Sequence, residues 1–386
     1  MRSFFLIIFV YLIVACASQE SKVESTQSSF VTLLGNDTLA IEKFGHVDGN
    51  FHAEVVLRSP RTSLRSYEMI LNSGLLVSME VKSYDPALGL SSEIIGYQKL
   101  YFEGDSLVRE VKNERGTSVR KTYTDGNILP FIDMVHWPFD LAMTNAYNSG
   151  QDSIRQMLLA GSRARPFIIT NLGEGNMTLR HPSRGVMEIK VDENGKLQEL
   201  DAGATTRKLK VTRTVELDVE SYASKYAEIE ESGKTFGALS GRGTSEVIIG
   251  EDTIAVDFGR PLKRGRDIFG SLVKYGELWR TGANRATHFK TGMTIKIGDV
   301  EIPGGEYTLY SIPEAEGGTL VINTQTGQGG TTYNQDRDLA RIPMQVRSLD
   351  EVVKLFTIVL ELNGKVGELK LQWDQKEYFV RFEIID

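Results

Sequence analysis

Short runs of alternating apolar and polar residues recur along most of the chain, which is the pattern of β-strands with one buried face. Three such runs are rich in β-branched and aromatic residues, at 51–57, 74–81 and 99–102. Turn-forming pairs separate runs of this kind, at Asp48-Gly49, Asp125-Gly126, Asn194-Gly195 and Asn363-Gly364. The pattern therefore predicts antiparallel hairpins, most clearly between residues 186–191 and 196–200.

Helical patterns are scarce. Residues 133–147 predict one helix, with Pro138 either in its first turn or at a kink, and residues 152–159 predict a weaker one. Residues 219–232 predict a helix that stops at Gly233. Four glycines follow within residues 233–243, which is the composition of a domain boundary.

At 386 residues the chain is longer than one compact core usually holds, so we expect two domains. The predicted fold class is mainly β: a curved antiparallel, half-barrel-like sheet with one or two helices, followed by a β-sandwich or jelly-roll-like domain. The predicted division is a signal peptide at 1–15, a lipid anchor and tether at 16–29, a first β domain at 30–218, a connector at 219–243 and a second β domain at 244–386.

The first residues resemble the signal peptide and lipobox of bacterial lipoproteins. Arg2 precedes an apolar stretch at 4–14, which is too short to span a bilayer as a stable anchor. The stretch ends at Cys16, the single cysteine of the chain, after the small and aliphatic residues of Ile13-Val14-Ala15. The resemblance implies that Cys16 is lipidated after cleavage. The alternative interpretation is an ordinary signal peptide that is cut near Ala17.

Lipidation would attach the protein to a membrane. Ala17 after the cysteine favours the outer membrane, and the sequence does not indicate whether the protein lies on its periplasmic or its surface face. A net charge of −7 argues against a nucleic-acid partner, because phosphate binding needs clustered Lys and Arg. With one cysteine, no intramolecular disulfide can form. The sequence does not indicate an oligomeric state.

The C-terminal part carries a series of distinctive motifs. In chain order they are Asp-Phe-Gly-Arg-Pro at 257–261, Lys-Arg-Gly-Arg at 263–266, Ile-Phe-Gly at 268–270, Tyr-Gly at 275–276, Trp-Arg-Thr-Gly-Ala-Asn at 279–284, Ile-Pro-Gly-Gly-Glu-Tyr-Thr-Leu-Tyr-Ser-Ile-Pro at 302–313, Val-Ile-Asn-Thr-Gln-Thr-Gly at 321–327 and Leu-Gln-Trp-Asp at 371–374. This series, over about residues 240–386, resembles the domain of unknown function 2911 family.

That resemblance implies an exported, mostly β domain of the kind found in envelope proteins of Bacteroidetes and related bacteria, and it implies no established reaction. The sequence departs from the family pattern at two positions. Lys274 stands where a proline is common, and Gly329 stands where many relatives have tryptophan. If that tryptophan lines a ligand surface in relatives, this chain lacks it.

The segment 279–284 is the main candidate for ligand contacts. Arg280 has the geometry to bind a carboxylate or phosphate through two parallel hydrogen bonds, Trp279 has a face for a sugar, and Asn284 adds an amide near the flexible Gly282. The alternative is a structural turn in which Trp279 fills the core while Arg280 and Asn284 bond backbone carbonyls. Further candidates for ligand binding are Arg260, Arg266 and Tyr275, and Arg264 joins the two arginines in a possible anion-binding rim.

Recognisable catalytic patterns are absent from the sequence. The five histidines, His46, His52, His136, His181 and His288, have no metal-ligand spacing, and no nucleophile elbow is present. The nearest approach to a cluster is His46 and His52 with Asp48 and Glu54, which chance explains better. We therefore expect no cofactor and no metal, while carboxylate pairs remain open because their spacing is a three-dimensional property.

The first domain resembles the half-barrels of lipoprotein carriers in pattern alone, and residues 127–140 would form a helix that either plugs such a cup or covers one face of the sheet. The leading functional hypothesis is a non-catalytic binding protein for a glycan, peptide or lipid ligand. The alternatives are a hydrolase that acts on an envelope polymer and a structural or assembly subunit of an outer-membrane complex.

Overall fold

The structure, a computed structural model, describes residues 27–113, 116–124, 128–161 and 163–385. The described chain forms two large sheets, almost entirely antiparallel, and two α-helices. The prediction of a mainly β protein with one or two helices is confirmed. The predicted signal peptide, Cys16 and most of the predicted tether lie outside the described residues, as does the Asp125-Gly126 turn.

The first sheet contains fifteen strands in the described part of the chain: β1 (Gln27–Leu34), β2 (Asp37–Val47), β3 (Asn50–Leu57), β4 (Ser63–Asn72), β5 (Leu75–Tyr84), β6 (Gly96–Glu103), β7 (Ser106–Asn113), β8 (Gly116–Tyr123), β9 (Ile128–Phe131), β10 (Ser153–Ala160), β11 (Arg163–Gly173), β12 (Asn176–His181), β13 (Gly185–Val191), β14 (Leu197–Asp201) and β15 (Leu209–Thr214). Their spatial order is β8 to β1 and then β15 to β9, so β8 and β9 are the two edge strands, β1 pairs with β15, and every other pair of chain neighbours lies side by side.

The predicted hairpin turns explain much of this order. Asp48 and Gly49 both have positive φ, 49° and 85°, and join β2 to β3 as a tight hairpin. The longer turn 192–196, which contains Asn194-Gly195, joins β13 to β14, and Gly195 has a φ of 74° there. The weaker helix prediction at residues 152–159 is wrong, because this segment is β10, whose backbone pairs with β9 on one side and β11 on the other.

Helix α1 (Trp137–Asn148) packs on one face of the first sheet. Pro138 lies in its first turn, where a missing N–H has no consequence. Trp137 is fully buried, with its ring 5.1 Å from that of Phe51 and 5.5 Å from that of Tyr67. The helix predicted over 133–147 is therefore present but begins later, and it lies in the main core.

A buried carboxylate fixes the start of α1. Glu42 of β2 is fully buried and accepts hydrogen bonds at 2.9 Å from the backbone N–H groups of His136 and Trp137. Carboxylates are stabilised at helix N-termini by the unpaired N–H groups and the helix dipole. Glu42 therefore links the helix to the centre of the sheet.

Helix α2 (Val219–Glu231) packs on the opposite face of the same sheet. Asp218 caps it by accepting a hydrogen bond from the Ser221 N–H at 3.1 Å. Its residues Val219 and Ala223 join a cluster with Ile41 and Val56, whose chain neighbours Ala40 and Val55 point into the main core. The helix assigned to the connector thus packs on the first sheet, and β1 begins at Gln27, two residues before the predicted end of the tether at residue 29.

The second sheet has nine strands in the described chain: β16 (Ser240–Ile249), β17 (Asp252–Pro261), β18 (Thr287–Thr291), β19 (Ile295–Ile297), β20 (Val300–Ile302), β21 (Gly305–Glu314), β22 (Gly317–Asn323), β23 (Asp338–Asn363) and β24 (Val366–Ile384). Their order is β16-β17-β18-β21-β22-β23-β24-β19-β20.

The long strands β23 and β24 let this sheet fold over on itself. Their pairing is interrupted between Ser348 and Thr357, where the ladder bends. Beyond the bend β23 approaches the other end of the sheet, where the Leu360 N–H donates to Ser245 Oγ of β16 at 2.9 Å. The two layers enclose a second core that contains Phe258, Phe289, Phe356 and Trp373.

The two sheets are joined at one turn. The β1–β2 turn contacts the loop after β17, where the Asn36 N–H donates to the Arg264 carbonyl at 3.0 Å. Gly35 has a φ of 62°, and a Cβ there would lie 2.1 Å from the Arg264 carbonyl oxygen, so the contact requires glycine. The Arg264 guanidinium lies 3.8 Å from the centre of the Phe236 ring.

Candidate functional site: a cleft between the two sheets

A cleft of about 590 Å³ lies between the two sheets. On one side are the turns β12–β13 and β14–β15 and the end of β1, all at the end of the first sheet that carries the β1–β2 turn. On the other side is the chain between β17 and β18, including most of the segment 279–284. Its charged lining consists of Arg184, Arg207, Lys208, Arg266 and Arg280.

The segment 279–284 has an unfavourable backbone conformation. Thr281, Gly282 and Asn284 all have positive φ, at 51°, 144° and 64°. Positive φ in a β-branched residue is rare, with a strain of about 1–3 kcal/mol. Thr281 is held there by its Oγ1 donating to Ser311 Oγ at 2.9 Å and by its carbonyl accepting from Thr287 Oγ1 at 2.6 Å. Such strain is typical of functional sites, and here it shapes one wall of the cleft.

Close packing explains why the segment contains glycine. A Cβ on Gly259 of β17 would lie 2.0 Å from the Ala283 carbonyl oxygen. A Cβ on Gly282 would lie 2.9 Å from the Gly259 carbonyl oxygen. The segment therefore lies directly on the backbone of β17, and side chains at either glycine would push it away.

Trp279 is both a cleft residue and a core residue. Its ring stacks against Trp373 at 6.0 Å and 16°, and it meets the edge of Phe356 at 5.0 Å. Its backbone forms a bridge to Ser311 through bonds of 2.7 and 2.9 Å. Asn284 is similarly committed, because its side-chain amide donates to the Ser240 carbonyl at 3.2 Å. These contacts match the structural interpretation for both residues.

Arg280, unlike Trp279 and Asn284, has a polar group without a partner in the described chain. Its guanidinium has no hydrogen-bond or ion-pair partner among the described residues, although its stem packs over Gly330, where a Cβ would lie 2.6 Å from Arg280 Cδ. Burial lowers the pKa of Arg280 from its usual value. A partly buried, unpaired guanidinium at a cleft wall is a group with donors to offer to a ligand.

Two arginines of the first sheet share one carboxylate behind the cleft. Asp133 Oδ1 accepts from Arg184 at 2.5 Å and Asp133 Oδ2 accepts from Arg207. Burial opposes ionisation of Asp133, but the two arginines outweigh it and lower the pKa of the carboxyl. Arg207 Nε is buried without a partner. Asp133 therefore balances one of the two positive charges of Arg184 and Arg207.

Lys208 lies on the same wall, with a φ of 58°, and its Nζ donates to the Gly203 carbonyl at 2.6 Å. Burial is the main cause that lowers the pKa of Lys208, and the positive charges of Lys274, Arg266 and Arg280 lower it further, against a smaller opposing effect of Glu277. Positive charges of the two sheets therefore repel each other across the cleft.

The other sequence-predicted residues divide between the cleft and its surroundings. Arg266 lines the cleft, but its guanidinium donates to the carbonyls of Lys263 at 3.0 Å and Leu262 at 2.6 Å. Arg260 ties β17 to β23 by donating to the Phe356 carbonyl and Thr357 Oγ1. Tyr275 does not line the cleft, and its half-exposed ring lies 5.5 Å from Lys376 Nζ. The suggested rim of Arg260, Arg264 and Arg266 is not a single surface, since Arg264 joins the sheets instead.

The sequence interpretation missed Arg184, Arg207 and Lys208. They lie in two turns of the first sheet, about 20 residues apart in the chain, and no local motif marks them. The Gly329 position lies close to the cleft wall, beside Arg285, and a Cβ there would meet only Thr332 Oγ1 at 3.9 Å. A Cβ at Gly329 would therefore meet no close contact.

Other parts of the described chain are weaker candidates for a functional site. A cavity of about 460 Å³ lies on the second sheet beside Val300, Arg341 and Phe379, and one of about 230 Å³ lies on the first sheet beside Arg65 and Arg109. Across the residues that the structure describes, no cluster of three or more His, Cys, Asp or Glu is arranged to hold a metal ion. His46 lies opposite Phe51 rather than His52. Neither described helix has the length and apolar character needed to cross a bilayer.

The comparison with protein families agrees with the motif series. Residues 240–382 match the model of a family described as "Protein of unknown function (DUF2911)". The second sheet and the segment 279–284 fall within this match, so the resemblance predicted for the C-terminal part is confirmed. No curated protein matches the chain.

Two solved structures share weak similarity with the chain. One is titled "Structure of PNGF-II in C2 space group", with 9% identity, a TM-score of 0.16 and coverage of 93% of this chain and 64% of that one. The other is isotype 1 transferrin binding protein B from serogroup B Neisseria meningitidis, with 10% identity, a TM-score of 0.13 and coverage of 91% and 66%. The chain thus spans slightly less than two thirds of each. Scores this low do not establish a shared fold.

Proposed function

We propose that this protein is a non-catalytic binding protein of the cell envelope and that its ligand occupies the cleft between the two sheets. The observation that carries the proposal is the cleft itself. It has a volume of about 590 Å³, within the usual range for ligand sites, and a strained, glycine-dependent segment forms one wall. Such strain persists only where the surrounding structure enforces it.

The proposed attachment to the outer membrane through Cys16 is compatible with this site. Strand β1 begins at Gln27, next to the proposed tether, and ends at Leu34, which lines the cleft. Its extended length is roughly 24 Å at the usual rise per residue. A lipid at Cys16 would therefore connect to the first sheet through Gln27, at the end of β1 away from the cleft.

The hydrolase alternative has no support from this cleft. Glycoside cleavage usually needs two carboxyl groups that flank the scissile bond. None of the described residues that line the cleft is acidic, and Asp133 behind it is engaged by two arginines. A binding role needs no such pair.

Native mass spectrometry of residues 17–386, which include every described residue, tests the proposal. We expect a bound mass that is released on denaturation. Ala204→Trp, which adds bulk to the cleft wall, should remove it, whereas Ala87→Trp on an exposed turn away from the cleft should not. Turnover of an envelope polymer by the same preparation, or a bound mass that both variants retain, would count against the proposal.

A further inference from the structure

The cleft concentrates positive charge in a protein that is acidic as a whole. The net charge of the chain is −7, yet the charged groups in the cleft lining are four arginines and one lysine. Composition does not explain this arrangement, because acidic residues outnumber basic ones in the chain. Local concentration of one sign of charge in a concave site attracts the opposite charge.

The protein itself neutralises some of these cations but not others. Arg184 and Arg207 share Asp133, and Arg266 donates to two backbone carbonyls. Arg280 has no partner in the described chain, and Lys208 has one carbonyl for its three donors. Arg280 and Lys208 therefore have no carboxylate partner and keep most of their donors unpaired, and they lie on opposite walls, one on each sheet.

The aromatic group of the cleft is less available. One face of Trp279 is stacked on Trp373, and Phe356 and Phe269 meet the same ring at 70° and 87°. A sugar that stacks on this ring would have to compete with the core. Charge recognition therefore has more support in this cleft than recognition of a neutral sugar face.

We infer that the ligand enters the cleft with an oxyanion, a phosphate or carboxylate group, that is bound between Arg280 of the second sheet and Lys208 of the first. This deepens the proposed function and rests on it, since both place the ligand in the same cleft. A guanidinium binds either oxyanion through two parallel hydrogen bonds, while an ammonium adds a compact charge. The anion would also relieve the mutual repulsion that helps to lower the pKa of Lys208.

Calorimetric titration of residues 17–386 with inorganic pyrophosphate and with citrate, at constant ionic strength, tests the inference and separates the two oxyanion sources. We expect one-to-one binding of at least one probe. Arg280→Gln and Lys208→Gln should each weaken it about tenfold, the effect of losing one charge-assisted hydrogen bond. The double variant should lose less than the product of the two effects, because both groups contact one anion.

Two variants with the same charge change serve as controls. Arg285→Gln and Lys210→Gln remove exposed cations that are close in sequence but do not line the cleft, and they should change affinity by less than about twofold. Equal losses in the controls would show that the probes respond to general charge, which overturns the inference. Thermal melts of all variants show whether folding is retained.

The inference and the proposed function can fail separately. If neither probe binds but the native mass spectrum shows a neutral ligand that Ala204→Trp removes, the oxyanion inference is wrong and the binding function stands. If a ligand binds and is unaffected by Ala204→Trp, Arg280→Gln and Lys208→Gln, both are wrong.

Discussion

Arg264 of the second sheet domain donates a hydrogen bond of 2.8 Å from its Nη1 to Asp37 Oδ2 of the first, while its Nη2 donates to the Phe236 carbonyl at 3.0 Å. The Arg264 side chain is 5% exposed and the Asp37 side chain 46%. One arginine thus connects the start of β2, the chain that leads into β16 and the loop after β17. The cleft lies beside this junction, so its shape depends on it.

We expect Arg264→Ala to loosen the junction more than Asp37→Ala. Arg264 loses two hydrogen bonds and the contact with Phe236, at about 2 kcal/mol, whereas the half-exposed Asp37 contributes less than about 1 kcal/mol. Limited proteolysis within residues 232–239 measures the effect as faster cleavage. Arg242→Ala, which removes an ion pair within the second sheet, should leave the cleavage rate unchanged. Equal rates for Arg264→Ala and Arg242→Ala would contradict this account.

Trp279 and Arg280 are neighbours with opposite expected effects on stability. Trp279→Ala should lower the free energy of unfolding by about 3 kcal/mol, because the ring packs against Trp373 and Phe356. Arg280→Gln should change it by less than about 0.5 kcal/mol, because the guanidinium has no partner to lose. Chemical denaturation of both variants measures the difference. A large loss in Arg280→Gln would mean that Arg280 is structural.

Both carboxyl oxygens of Glu42 should be needed as hydrogen-bond acceptors. Glu42→Gln replaces one acceptor oxygen with an amide that opposes the N–H groups of His136 and Trp137, and we expect a loss of about 3 kcal/mol of unfolding free energy. Glu54→Gln on the next strand should lose less than about 1 kcal/mol, since Glu54 is partly exposed and lies 3.9 Å from Lys43. Similar losses in both variants would show that burial of Glu42 at the helix start has little importance.

His181 should make stability depend on pH. Burial is the main cause that lowers the pKa of His181 to about 4, and its Nδ1 accepts a hydrogen bond from the Ser183 N–H at 3.1 Å. The His181 side chain therefore binds a proton below about pH 6.5 in the unfolded chain but only below about pH 4 in the folded chain. Stability should fall by about 2 kcal/mol as the pH falls from 7 to 5.

Denaturant titrations of the protein and of His181→Gln over this range test the dependence on pH. The variant should be less stable at pH 7, because it loses ring contacts with Phe131 and Phe167, but its stability should change less with pH. Parallel curves for the two proteins would exclude His181 as the source.

The parts of the fold that could be predicted are those that depend on residues close together in the chain. The tight turn at Asp48-Gly49 needs residues that accept positive φ, and the sequence shows them. Helix α2 was predicted at nearly its observed bounds because its apolar residues recur at helical spacing before Gly233. The segment of β10 was misassigned, since its conformation depends on backbone pairing with β9 and β11 rather than on its own residues.

The sequence by itself determined the strand-rich architecture and the family resemblance of the C-terminal part, and it marked the segment 279–284 as a candidate for ligand contacts, because turn residues and motifs are local properties of the chain. Only the tertiary structure decided which side chains of this segment are held by contacts within the protein. Trp279 and Asn284 contact groups far away in the chain, whereas the Arg280 guanidinium has no hydrogen-bond or ion-pair partner among the described residues. The cleft exists because turns of the first sheet meet the chain after β17, and the distances between those turns arise only when both sheets have formed.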